Sequence, residues 1–333
     1  MKKILALLLA LWIPAAVLSG CAPQDDSAAS NKLNIVTTIF PAYDWVREIL
    51  GDETDRAEIT TLLDSGVDLH SYQPTVDDIV KISECDLFLY VGSESDGWVD
   101  DALKNAPNKD RKVIRLLDVL GDSAKAEETV AGMQEEEHDH EEEEHGHEEE
   151  AEYDEHIWLS LKNAQVLVAA ISEALQETDP ARKDTYAANA AAYAEKLSAL
   201  DGEYRAAVDS GKYKTLLFGD RFPFRYLADD YGLDYYAAFP GCSAETEASF
   251  ETVSFLAGKM DALGLPCVLT IEGTQHKIAE TIVQNTAQKN QQILTMDSMQ
   301  AVTANDASSG VSYLSIMEKN LSVLKKALGQ EAE

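Results

Sequence analysis

DPARKDTYAANAAAYAEKLSALDGEYRAAVDS, residues 179–210, is the stretch on which the fold turns. Asp179-Pro180 supplies an N-cap and a first-turn proline, the usual opening of a helix. Beyond it Tyr186, Ala190, Tyr193, Leu197, Leu200 and Tyr204 recur in steps of four, three, four, three and four. That spacing lays one apolar stripe along an α-helix. It predicts a helix from about 180 to 210, roughly 46 Å long at 1.5 Å per residue.

On both sides of this helix the chain alternates strand and helix signals. LNIVTTIF (33–40), AEITTLL (57–63), DLFLYVG (86–92) and KVIRLL (112–117) are short β-branched or apolar runs bounded by polar turns. Helical patterns at 42–50 and 75–83 separate them, and 163–177 reads as a helix with Leu167, Ala170, Ile171 and Ala174 on one face. After the long helix the alternation resumes with TLLFGD (215–220), DYYAAF (234–239), CVLTIE (267–272) and QILTMD (292–297), and an amphipathic helix closes the chain at 312–328. Strand–helix alternation argues for parallel sheets. The expected fold class is therefore α/β, two parallel-sheet lobes joined by one long rigid helix. Open parallel sheets bind ligands beyond the carboxyl ends of their strands, which places a site in the cleft between the lobes. The domain plan is an N-terminal lobe at 33–162, a helical linker at 163–211 and a C-terminal lobe at 212–333.

The first twenty-one residues stand apart from this plan. Lys2 and Lys3 precede an unbroken apolar run, Ile4 to Leu18, and then Leu18-Ser19-Gly20-Cys21. Fifteen residues are few for a spanning helix, and the order is that of an export signal. A Cys after small residues resembles a lipobox, so Cys21 is the expected lipid attachment point, with 22–32 as a tether; an ordinary signal peptide ending near a Cys is the alternative. The chain would then be exported and lipid-anchored to the outer face of the cell membrane. Cys85, Cys242 and Cys267 remain. Cys242 and Cys267, both in the C-terminal half, are the expected couple if an exported chain pairs two, and Cys85 reads as a small buried hydrophobe.

The formal net charge is −33. Such acidity repels nucleic acid and attracts cations. Much of it is concentrated in EEEHDHEEEEHGHEEE (135–150), which has eleven acids, no apolar residue and four of the seven histidines: His138, His140, His145 and His147. With no periodicity it cannot form a core and is expected to be a disordered loop over 134–152. Flexible ligands lose freedom on binding, so the loop reads as an accessory metal-capture segment beside a preformed site. A merely solvated acidic linker is the bland reading.

Two other histidines lie in loops that open helices of the first lobe: His70 in GVDLHSYQPTVDDIV, ahead of a helix that Thr75 and Asp78 can cap, and His156 in YDEHIWLSLKNA. A pair of neutral imidazoles suits zinc and similar divalent metals. The second lobe ends three strands in carboxylates, Asp220, Glu272 and Asp297, with His276 just beyond Glu272. Helix capping is the commoner role for such carboxylates.

GVDLHSYQPTVDDI, DEHIWLSLKNA, DPARKDTYAANAAAYAEKL and FPGCSAETEASFETV together resemble the solute-binding receptors of bacterial zinc and manganese ABC importers, over residues 33 to 328. The resemblance implies two α/β lobes on a rigid helix, and it makes His70 and His156 metal ligands. A His-rich loop like 135–150 is commonest in the zinc-uptake branch. The family takes its third ligand from the turn after the first strand of the second lobe. Matching Arg225-Tyr226-Leu227 and Tyr231-Gly232-Leu233 to the family pattern sets Arg221 at that position, and arginine cannot bind a metal cation. A shift of one residue brings Asp220 there. The expected set is thus His70, His156, Asp220 and Asp297, with Glu272 and His276 as further candidates and Arg221 holding Glu272 or another carboxylate in a bidentate ion pair.

The expected function is that of a monomeric receptor, not an enzyme, that captures Zn²⁺ and hands it to a membrane permease, with Mn²⁺ as the alternative cargo. No GxxxxGK[ST] loop is present, so ATP would be used by another subunit. A surface adhesin or metal buffer is the competing class. A metallohydrolase is a third; it would need a general base at the metal, and HExxH is absent.

Overall fold

The computed structural model describes residues 32–64, 66–104, 106–134, 152–243, 247–273 and 276–330. Cys21, the leader and tether, and His138, His140, His145 and His147 lie outside the described residues.

The first sheet contains β1 (Leu33–Thr37), β2 (Ala57–Thr61), β3 (Leu87–Tyr90) and β4 (Lys112–Arg115) in the order β2-β1-β3-β4. The second contains β5 (Thr215–Arg221), β6 (Asp234–Phe239), β7 (Cys267–Thr270) and β8 (Gln292–Thr295) in the order β6-β5-β7-β8. Every pairing is parallel, and the two sheets repeat one winding. Helices cover both faces, which is why β3 and β7 read as continuous apolar runs. The strands fall where the hydrophobic runs predict them, usually shorter by two or three residues. β1, for instance, stops at Thr37 because Pro41 opens α1 (Phe40–Leu50).

Around the first sheet lie α2 (Val76–Glu84), α3 (Val99–Lys104) and α4 (Leu116–Leu120). Thr75 and Asp78 cap α2 reciprocally, as their spacing predicts. Next come α5 (Leu161–Thr178) and α6 (Lys183–Ser210), the latter about 42 Å long and preceded by a single 3₁₀ turn at Pro180–Arg182. The second lobe carries α7 (Arg225–Tyr231), α8 (Phe250–Leu263), α9 (Lys277–Asn285), α10 (Ala304–Ser308) and α11 (Tyr313–Ala327). Among the described residues no helix is long and apolar enough to cross a membrane.

The stripe on α6 is buried along its whole length, from Tyr186 to Tyr204 and on through Ala207 and Val208. Asn189 donates to the carbonyl of Ile49 in α1 (2.9 Å), and Tyr204 Oη to that of Met317 in α11 (2.6 Å). One apolar cluster runs from Trp45 in the first lobe through Leu167 and Tyr193 to Phe218 and Leu324 in the second. A shared core of this kind leaves no hinge between lobes, because wide opening would expose it to water.

A strap adds to the suture. Residues 124–134 leave the first lobe and bind the second. Lys125 N donates to Tyr226 Oη (3.0 Å), Cys242 N to the Glu127 carboxylate (2.9 Å) and Gln134 N to the carbonyl of Ala238 (2.9 Å). Residues 152–154 return beside it, paired Ala126 to Tyr153, with Glu127 N donating to the carbonyl of Glu152 (2.8 Å).

Cys85, Cys242 and Cys267 are all free. The expected Cys242–Cys267 disulfide is not formed: Cys267 starts β7 within the apolar core, whereas Cys242 sits in the loop after β6 at a pocket edge.

Candidate metal centre

His70 belongs to a 3₁₀ turn, Leu69–Ser71, whose N-cap is Asp68. His156 opens a second such turn, Ile157–Leu159, at the end of the strap. The local chemistry is the same at both. Asp68 Oδ1 accepts from His70 N (3.0 Å) and Asp154 Oδ1 from His156 N (2.8 Å), each carboxylate closing a turn over the residue two positions on. Tyr226 of the second lobe donates its hydroxyl to the carbonyl of Asp154 (3.0 Å) and so holds the segment that carries His156.

The two imidazoles face one another with Nε2 to Nε2 at 3.4 Å. Their outer nitrogens are also held. His156 Nδ1 is 3.0 Å from Asp154 Oδ1. His70 Nδ1 is 3.0 Å from Ser95 Oγ and 3.4 Å from Glu155 Oε2, and Glu155 Oε1 accepts from Ser95 N (2.9 Å). A carboxylate on Nδ1 fixes the tautomer that leaves the Nε2 lone pair free, the arrangement metal-binding histidines require. Burial, with His156 next, depresses His70 to about 3, so it is a neutral imidazole at any physiological pH.

His156 is fully buried, and the backbone of Gly241 lies against its ring: a Cβ there would stand 3.2 Å from Nδ1. The same Cβ would stand 2.9 Å from the carbonyl oxygen of Phe222, so a side chain here would push the loop after β6 away from the ring. On the Nδ1 side of His70 a pocket of about 390 Å³ opens, lined by Ser95, Glu127, Glu152, Glu155 and Cys242.

The remaining expected residues are engaged elsewhere. Asp220, pushed upward by burial, accepts from Arg221 N (3.0 Å) and Ile271 N (3.4 Å). Glu272 accepts from Ser298 N (2.6 Å), Ser298 Oγ (2.7 Å) and Gln300 N (3.0 Å), fastening the turn after β8. Asp297 accepts from Met299 N (2.8 Å), and burial followed by the charge of Glu272 raises it to about 6. His276 precedes α9, with its Nδ1 buried and without a hydrogen-bond partner among the described residues. Among the described residues none of these four is hydrogen-bonded or ion-paired to His70 or His156, and no group of three or more His, Cys, Asp or Glu side chains stands ready around a metal ion. Arg221 holds a carboxylate, but it is Asp68 and not Glu272, and it meets one oxygen of it instead of forming the expected bidentate pair.

Asp68, Ser95, Asp154 and Glu155 are the site residues that the sequence reading passed over. Their signal is an Asp two positions ahead of each histidine, in Asp68-Leu69-His70 and Asp154-Glu155-His156. A further residue, Gln300, has its Oε1 buried without a partner among the described residues, at a small void shared with Leu69 and Trp158.

Two like-wound parallel sheets on one helical strut, with an imidazole pair where the strap meets the β2–α2 loop, define a two-lobed binding-protein architecture. The chain belongs to the family described as zinc-uptake complex component A, periplasmic, whose sequence profile matches residues 35–327. It is 33% identical to the zinc-binding lipoprotein AdcA of Streptococcus pneumoniae over 331 residues, 99% of this chain and 62% of that protein. The chain thus spans about three-fifths of the length of that relative. It is 30% identical to the high-affinity zinc uptake system protein ZnuA of Bacillus subtilis, covering 90% of this chain and 88% of that one. Among solved structures, the Zn(II)-bound ZnuA-like domain of S. pneumoniae AdcA superposes with a TM-score of 0.68 at 29% identity, covering 90% of this chain and all of that one.

Proposed function

We propose that this chain is an extracytoplasmic receptor that captures Zn²⁺ between its lobes and delivers it to the permease of an ABC importer. The observation that carries the reading is the 3.4 Å between the Nε2 atoms of His70 and His156. Two nitrogens bound to zinc at 2.0–2.1 Å with a tetrahedral angle are themselves about 3.4 Å apart. The pair is therefore spaced as two ligands of one ion.

Several features support the receptor role. The shared core and the strap allow only small changes around the ion, which suits a clamp that releases by local movement. The match to zinc-uptake receptors supports zinc as cargo and a permease as partner. The relative named as a zinc-binding lipoprotein supports lipid anchoring of an exported chain through Cys21. Residues 135–150, with their four histidines, act as an accessory collector.

The test is a competition titration of the metal-stripped chain, zinc against manganese, with a chelator of known affinity, repeated with 135–150 deleted. One tight zinc site surviving the deletion is the expected result, and loss of tight binding with the loop would make the loop the site. D220N and D297N in the same titration test whether Asp220 and Asp297 complete the ligand set.

A further inference from the structure

Arg221 ends β5 in the second lobe, and its guanidinium reaches across to the first. Nη2 donates to Asp68 Oδ2, and Nη1 to the carbonyl of Ser243 at 3.3 Å. Both groups are largely enclosed, with side-chain exposures of 17% and 24%. The other oxygen of the carboxylate, Oδ1, accepts from His70 N and lies 4.0 Å from His70 Nε2.

The side of the ring on which each neighbour lies decides which can reach the ion. Ser95 Oγ is hydrogen-bonded to Nδ1 of His70, and Glu155 Oε2 stands 3.4 Å from the same nitrogen. An ion shared by the two Nε2 atoms sits on the opposite side, and there the neighbouring carboxylate is Asp68. Cys242 lines the pocket that opens on the Nδ1 side, together with Ser95 and Glu155. Ser95 and Glu155 are thus positioning groups, and Asp68 is the carboxylate beside Nε2.

Resting on the receptor reading, we infer that Asp68 is the third donor to the captured cation and that Arg221 is the residue that positions it across the lobes. Oδ1 stands 4.0 Å from His70 Nε2, close to the roughly 3.4 Å that separates two donors of one tetrahedral ion. Arg221 takes Oδ2, so the oxygen on the imidazole side is Oδ1, which also accepts from His70 N. Arginine suits this role because its planar fork holds one carboxylate oxygen and a carbonyl simultaneously and never loses its charge. An arginine at a ligand position thus stops being an anomaly: it carries the donor in from the other lobe instead of supplying one.

The full chain, metal-stripped, is titrated with zinc alone against a chelator, and separately with Co²⁺, whose visible spectrum reports donor type and number. D68N is expected to cost more than the roughly 10–100-fold that loss of an outer-sphere partner costs, and to change the cobalt spectrum. D68E is expected to recover part of the affinity and the spectrum, and covers the case in which D68N does not fold. R221Q is expected to stay within that outer-sphere range and to keep the wild-type cobalt band shape, since the donors are unchanged. Zinc affinity and cobalt spectrum unaltered in D68N, while H70A abolishes binding, would overturn the assignment of Asp68 and leave the receptor reading intact. A sulfur charge-transfer band in the cobalt complex would overturn it in favour of Cys242, and tighter zinc binding by R221Q would overturn the role given to Arg221. Unchanged binding in both H70A and H156A would instead remove the receptor reading itself.

Discussion

Nε2 of His70 and Nε2 of His156 stand 3.4 Å apart across a sequence separation of 86 residues. One comes from the loop after β2 and the other from the end of the strap, and each is locked by an aspartate turn. Truncation of either to alanine is expected to weaken zinc binding at least a hundredfold. A ligand that binds only the folded state at a hundred times its Kd adds about 2.7 kcal/mol of stability. H70A and H156A should therefore lose the zinc-dependent rise in Tm seen for the wild-type chain, a comparison made by calorimetry with and without the metal.

Asp154 acts on the ion only through His156, by way of Nδ1 at 3.0 Å. D154N replaces an acceptor by a group that can donate, and frees the imidazole to take the other tautomer. The expected result is a roughly 10–100-fold loss of zinc affinity with the same number of ions bound. Isothermal titration gives both quantities, and a fall in stoichiometry would contradict the positioning role.

Tyr226 links the lobes through one hydroxyl, accepting from Lys125 N and donating to the carbonyl of Asp154, both at 3.0 Å. Y226F leaves two backbone groups without that partner, at a cost of about 1–3 kcal/mol for each that stays buried. Chemical denaturation is expected to show a loss of about 2 kcal/mol or more. Zinc affinity should fall too, because the strap that presents His156 loosens. Wild-type affinity in Y226F would show that the strap positions nothing.

Asp44 in α1 is buried and accepts from Tyr313 N at the start of α11 (2.8 Å). Burial, helped by Glu48 and opposed by that N–H and by Arg47, raises it from 3.8 to about 6. A carboxyl raised on folding favours the folded state fully below its unfolded value and loses that contribution as pH rises through the folded one. Relative to D44N, the wild-type chain should therefore lose stability between about pH 4 and pH 6, by up to about 3 kcal/mol. Urea denaturation of both chains at pH 4.5 and 7.5 checks this, and equal differences at the two pH values would refute it.

Most of the architecture was legible because it rests on local periodicity. The stripe from Tyr186 to Tyr204 is a property of one segment, and the segment buries it as predicted. The runs that became β3 and β7 are apolar throughout because both faces of a parallel sheet are covered. Thr75 and Asp78 cap α2 from within four residues of each other. The strap at 124–134 was not legible, since its hydrogen bonds go to Tyr226, Ala238 and Cys242, and it has no periodicity of its own.

The site divides in the same way. By itself the sequence determined the two lobes, the strut and the two loop histidines, because propensity, capping and imidazole chemistry act within a few residues. Only the tertiary structure decided which partners those histidines meet. Carboxylates in loops look alike in sequence, whether they fasten a turn as Glu272 does or approach an imidazole as Asp68 does. The direction of Arg221 toward Asp68 depends on how two sheets pack against one helix, 153 residues apart along the chain. Long-range pairings of this kind follow from the summed packing of the core, and no local pattern encodes them.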